Sequence, residues 1–112
     1  MESAEGFDER RKQLNELVMR YADINIKRFY NIDECAYKDG ALPAKTKELL
    51  GLVASLVLRC DDCVTYHLHQ CRQAGVSDEE MTEVMGVGLI VGGSIVIPHL
   101  RRAFATWDEL KK

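Results

Sequence analysis

No stretch of the 112-residue chain alternates apolar and polar side chains convincingly with period two, and that restricts the fold to helices. Apolar residues instead recur every three or four positions, between breaks marked by glycine, proline or capping side chains. Over residues 8–30 the spacing is carried by Leu14, Leu17, Val18, Tyr21, Ile24 and Phe29. Asp8 is placed to cap this helix and to set negative charge on its positive end, and Gly6 marks a frayed tail ahead of it. Asn31 to Leu42 breaks the pattern, with Asp39-Gly40 as the turn signal. Cys35 falls in or beside that connection and reads as a half-buried small hydrophobe.

Pro43 suits the start of a second helix, where its missing N–H costs nothing. From Ala44 to Arg59, the residues Leu49, Leu50, Leu52, Val53, Leu56 and Val57 cover most of the helix circumference, which predicts a central, buried helix. Glu48 would lie on its polar side and, taken alone, reads as a solvated first-turn carboxylate. Asp61 or Asp62 would cap a third helix that runs to about Ala74, with Gly75 as the stop. Ser77 and Glu80 form a capping box that opens a fourth helix, from Asp78 to about Val91, and Gly92-Gly93 should break it. A last helix, with Pro98 early in it, ends near Leu110 and has Leu100, Ala103, Phe104 and Trp107 on its apolar face. The expectation is an all-α fold of about five to six helices in a single domain spanning residues 1–112.

Fifteen Lys and Arg against eighteen Asp and Glu give a net charge of −3, with no basic bias toward nucleic acid. The least polar run, Val84 to Ile97, is interrupted by glycines and stops at Pro98, short of the roughly 20 residues a membrane helix needs. It reads as core or subunit interface. Met1-Glu2-Ser3-Ala4-Glu5 is acidic and lacks the apolar core of a secretory signal, so the expected location is cytoplasmic. In that setting the four cysteines, Cys35, Cys60, Cys63 and Cys71, point to a redox or metal site and not to a disulfide scaffold.

The chemistry concentrates in Cys60-Asp61-Asp62-Cys63-Val64-Thr65-Tyr66-His67. Two thiols at this spacing can close a disulfide within one helical turn. His67, four residues after Cys63, shares its helix face and can take its proton or stabilise its anion. Cys63 would lie in the first turn of its helix, where unpaired N–H groups favour a thiolate, while Asp61 and Asp62 act against it. Glu48, from the preceding helix, could orient His67 or relay a proton. A zinc site would draw on Cys60, Cys63 and His67, with Glu48 as the fourth ligand. Cys71 lies about 16 Å along the axis from Cys60, too far to join them, and His69 points away from the Cys60 side.

Glu48, eleven intervening residues, Cys60-x-x-Cys63, then three residues and His67 resemble the active-site signature of alkylhydroperoxidase D proteins, within the carboxymuconolactone decarboxylase-like family. The resemblance extends from Leu42 onward and takes in the leucine-rich helix, the Ala74–Glu80 junction and Gly92-Gly93. It implies an all-helical fold, assembly into homo-oligomers (trimers or hexamers), and peroxidase activity without a metal or organic cofactor. It further implies that Cys63 is the peroxidatic thiol, that Cys60 resolves it as a disulfide, and that Glu48 and His67 relay protons. The implied partners are a hydroperoxide and an external dithiol or thiol-protein reductant, with no nucleic acid and no membrane. One position departs from the pattern: where the better-studied peroxidases have a histidine before the second cysteine, this chain has Asp62. Two competing readings are a lactone decarboxylase, with His67 or His99 as acid/base, and a zinc-stabilised oligomeric binding module.

Overall fold

The computed structural model describes residues 2–112, and the fold is all-α, with six α-helices and no strand among the described residues. The chain forms two compact units, one ending at Lys38 and the other spanning Asp39–Lys112.

The first unit holds α1 (Ala4–Tyr21) and α2 (Ile24–Ala36). One helix was expected over residues 8–30; the chain instead turns at Ala22, which is extended, and Asp23 caps a new helix by accepting from the Ile26 N–H at 2.9 Å. A short polar side chain at the cap position outweighs the continuing three- and four-residue spacing, because it satisfies a donor that the helix start would leave bare. The true start of α1 is also earlier than Asp8. Ser3 is its cap, its hydroxyl accepting from Gly6 N–H at 3.0 Å, so Gly6 lies inside the helix. Residues 31–36, expected to be irregular, belong to α2, and Cys35 is exposed on it and not half-buried.

The second unit carries α3 (Ala44–Val57), α4 (Asp61–Gln73), α5 (Asp78–Gly92), a short 3₁₀ turn (Ser94–Val96) and α6 (Ile97–Leu110). Asp39 reaches forward to accept from the Ala44 N–H at 2.6 Å, serving a helix start that Pro43 cannot cap with its own side chain. α3 packs on α4 and α5, and α4 packs on α6. Between them lies a core of Leu52 and Leu56 from α3, Val64, Leu68 and Cys71 from α4, Met81 and Met85 from α5, and Val96, Ala103 and Trp107 beyond. α5 comes close to α3 at Gly88, where an added Cβ would stand 2.8 Å from the Leu56 side chain.

The expected capping box is present: Ser77 Oγ accepts from the Glu80 N–H at 3.1 Å, and Glu80 Oε1 accepts from the Ser77 N–H at 2.9 Å. Gly93 ends α5, and Pro98 lies in the first turn of α6. Trp107 Nε1–H and Lys111 Nζ both donate to the Asp78 carboxylate, at 2.9 and 2.6 Å, which ties the end of α6 to the start of α5.

The leucine-rich helix is not buried all round. α3 sinks only the stripe Glu48, Leu52, Ser55 and Leu56, while Leu50 and Leu58 are 55% and 77% exposed. Its other apolar face and the Val84–Val91 side of α5 line an open apolar groove of about 560 Å³. The Val84–Ile97 run divides in the same way: Met85, Gly88 and Val96 are core, whereas Val87, Ile90, Val91 and Ile95 are exposed. No described helix is long and apolar enough to cross a membrane.

Candidate functional site

The site is built at the joint between α3 and α4. α3 ends in a Schellman motif: Cys60 N–H donates to Ser55 C=O at 3.0 Å and Arg59 N–H to Leu56 C=O at 3.0 Å, with Arg59 in the left-handed region at φ 61. That reversal delivers Cys60 directly onto the start of α4. Cys60, and neither Asp61 nor Asp62 as expected, is the N-cap, its Sγ accepting from the Cys63 N–H at 3.3 Å. A thiol-derived sulfur takes the place an aspartate would take because the reversal at Arg59 leaves Cys60 extended, with Asp61 and Asp62 already inside the first turn of α4. Cys60 and Cys63 are joined by a disulfide across the first turn of α4, with Cα atoms 5.3 Å apart. Cys63 faces solvent.

One turn further on, α4 turns Val64, His67, Leu68 and Cys71 inward against the buried stripe of α3. Glu48 belongs to that stripe and not to the polar side of its helix. Glu48 and His67 meet in the interface: His67 Nδ1–H donates to Glu48 Oε2 at 2.8 Å, and both residues are more than nine-tenths buried. A carboxylate only accepts, so this bond sets the tautomer and places the basic nitrogen of the neutral ring at Nε2. A carboxylate at this depth requires such a partner, since unpaired it would cost several kcal/mol. Tyr66 sets its ring edge-on to His67, with centroids 5.2 Å apart.

The remaining sequence candidates fall elsewhere. Cys71 is fully buried; burial, and secondarily the nearby charge of Glu48, push its thiol up to about 12, so it stays protonated and packs as a small hydrophobe. Cys35 lies in the other unit. His69 is buried on α4. Among the described residues no group of three or more Cys, His, Asp or Glu side chains is arranged to hold a metal ion.

His99 has a partner that sequence reasoning missed. Its Nδ1–H donates to Asp61 Oδ1 at 2.7 Å, and Arg102 Nε donates to Asp61 Oδ2 at 2.9 Å. Partial burial pushes the Asp61 carboxyl up, but the bonds from His99 and Arg102 outweigh it and hold it below its ordinary value of 3.8. Asp61 therefore does not stand beside the cysteines as a bare charge. No local signal could have found this pairing, because the partners are 38 and 41 residues away.

The family model of the carboxymuconolactone decarboxylase family matches residues 26–106. The chain belongs to this family. A crystal structure of a Thermotoga maritima protein is 57% identical to it, covers 94% of this chain and 92% of its own, and superposes with a TM-score of 0.92. A second Thermotoga maritima structure, of a carboxymuconolactone decarboxylase family protein named as a candidate for involvement in the antioxidative response, is 58% identical, with a TM-score of 0.90 over 94% of this chain and 89% of that one. An apo family member from Legionella pneumophila shares the fold at a TM-score of 0.83 and 24% identity, covering 95% and 94% of the two chains. Among curated relatives, an uncharacterised protein of Cupriavidus necator is 32% identical over 82 residues, which is 73% of each chain.

Proposed function

We propose that this family member is a thiol-dependent oxidoreductase that reduces hydroperoxides through its cysteine pair. The observation that carries the reading is the Cys60–Cys63 disulfide at the solvent-facing start of a helix, one turn from a buried glutamate–histidine pair. In the reduced enzyme the Cys63 thiolate attacks the distal peroxide oxygen. The O–O bond breaks, the alcohol leaves with a proton, and Cys63 becomes a sulfenic acid. The Cys60 thiol then displaces water from that sulfur and forms the disulfide. An external dithiol or thiol protein supplies two electrons and two protons, reopening the Cys60–Cys63 bond and leaving with a disulfide of its own.

The dipole and N–H groups at the start of α4 favour the Cys63 thiolate. His67, one turn on along α4, receives and returns the proton, and Glu48 holds the ring in the tautomer that can do so. The chemistry uses protein side chains alone. The antioxidative association of the Thermotoga maritima relative supports this direction. The protein acts in the cytoplasm as a homo-oligomer, trimeric or hexameric, in keeping with the exposed apolar residues of α5.

The test is hydroperoxide turnover with a panel of small dithiols and dithiol proteins, comparing wild type with Cys63→Ser. Dithiol oxidation that requires both peroxide and Cys63 supports the proposal. Wild-type rates no faster than the uncatalysed reaction of dithiol with peroxide overturn it.

A further inference from the structure

The proposed relay uses Glu48, His67 and the two cysteines, and leaves a second polar cluster at the same helix end without a role. Asp61 is the first residue of α4, next to Cys60 and two before Cys63. Both of its carboxylate oxygens are taken by α6, one by His99 at 2.7 Å and the other by Arg102 at 2.9 Å. An Arg102 terminal nitrogen also lies 3.1 Å from His99 Nδ1, so the three side chains form one closed cluster. The side chains of Asp61 and Arg102 are 46% and 57% exposed, and ion pairs so open to solvent add little to stability. What distinguishes the cluster is its place. A carboxylate in the first turn of a helix draws on the same dipole and N–H groups that would support a thiolate at Cys63, and it repels that thiolate.

We propose that His99 and Arg102 are positioning residues for the redox pair: they clamp Asp61, cancel its charge, and hold the first turn of α4 against α6 so that Cys63 can ionise when the disulfide opens. This rests on the reading that the cysteine pair is redox-active. The other charged groups about the pair are Asp62 on the same turn, Arg59 just before Cys60, and the Glu48–His67 pair where α3 meets α4. Reduction by an external dithiol breaks the Cys60–Cys63 bond, transfers two electrons to the sulfurs and closes the reductant's own disulfide. Above the thiol pKa of Cys63 one of the two protons goes to solvent, so whatever favours the thiolate favours the reduced pair.

The test reads the thiol directly. Reduced wild type, Arg102→Gln, Asp61→Asn and the double variant are alkylated across pH, and modification of Cys63 is followed by peptide mass. Arg102→Gln should raise the Cys63 thiol pKa by roughly half to one pH unit, as expected for a nearby carboxylate losing its counter-charge. Asp61→Asn should shift it the opposite way, and the double variant should return close to wild type. The fraction of Cys60–Cys63 disulfide in graded dithiol buffers should follow the same order, Arg102→Gln being the hardest to reduce. A clamp that mattered only for folding would lower the melting temperature of both single variants without opposed thiol shifts. Shifts in the same direction, or none, overturn the proposal. Because the thiol titration requires no peroxide turnover, its failure is distinct from failure of the peroxidase reading, which the wild-type turnover assay tests by itself.

Discussion

Replacing Arg59 with glycine should make the protein more stable, although it removes a side chain from the joint that carries the cysteines. Arg59 is the one non-glycine residue with positive φ among the described residues. It occupies the position after the C-cap of α3. The equivalent position at the end of α4, closed by the same pair of bonds, is Gly75 at φ 80. A residue with a Cβ pays roughly 1–2 kcal/mol in the left-handed region. Glycine recovers that strain but has more freedom to lose from the unfolded chain, which leaves a net gain of about 0.5–1 kcal/mol. The Arg59 side chain is exposed and enters no hydrogen bond or ion pair among the described residues, so the substitution forfeits nothing else. For a chain of this length the gain corresponds to about 2–6 °C in Tm. The assay is thermal unfolding followed by circular dichroism on the oxidised protein, which keeps the disulfide constant between samples. Gly75→Ala is the converse control. An added Cβ there meets nothing within 4 Å, so its cost is that of the backbone alone, and Tm should fall by a similar amount. A lower Tm for Arg59→Gly, or an unchanged Tm for Gly75→Ala, would refute the account of strain at this joint.

Removing His67 should raise the Cys63 thiol pKa and slow its oxidation by peroxide by about 10²–10⁴-fold, with Glu48→Gln losing less because it keeps the shape and one hydrogen bond; the check is the pH dependence of Cys63 alkylation in variants shown to fold alike. In acid, stability should be lost below about pH 4.5. Lys111 and Trp107 hold the Asp78 carboxyl below its ordinary 3.8, and the Ser77 backbone and Lys45 hold Glu80 below its ordinary 4.5. A carboxyl whose folded pKa is depressed contributes stability above its unfolded pKa and loses it as pH falls through the folded one, so Asp78→Asn and Glu80→Gln should each flatten the acid limb of the melting profile. The exposed apolar side chains of α5 and the following turn, with Ile90 at 85%, Val91 at 66% and Ile95 at 59%, predict a homo-oligomer by light scattering. Ile90→Asp should shift it toward smaller species, and a stable wild-type monomer at micromolar concentration would contradict the reasoning.

Signals that act within a few residues were legible from the chain alone. The Ser77–Glu80 capping box, the stops at Gly75 and Gly93, and the apolar stripe of α6 are each decided by the backbone's own unpaired groups or by helical periodicity. The pairing of Cys60 with Cys63 is local in the same sense, since their separation is set by one turn of helix. Glu48 and His67 were named from spacing, but only the packing of α3 on α4 shows that Glu48 lies on the buried stripe and meets His67 at hydrogen-bond distance. The split at Ala22 was missed because the three- and four-residue spacing continues across it, while one aspartate cap decides the break. Cys60 acts as the cap of α4 because α3 reverses at Arg59, a left-handed residue whose side chain gives no sign of it. Tertiary structure alone decided how the charges about the cysteine pair are arranged. Asp61 looks from sequence like a bare charge beside Cys60, and both of its oxygens find partners only because α6 returns, some forty residues later, to set His99 and Arg102 against it. Local chemistry specifies which side chains can react, whereas the fold determines which long-range partners set their electrostatics.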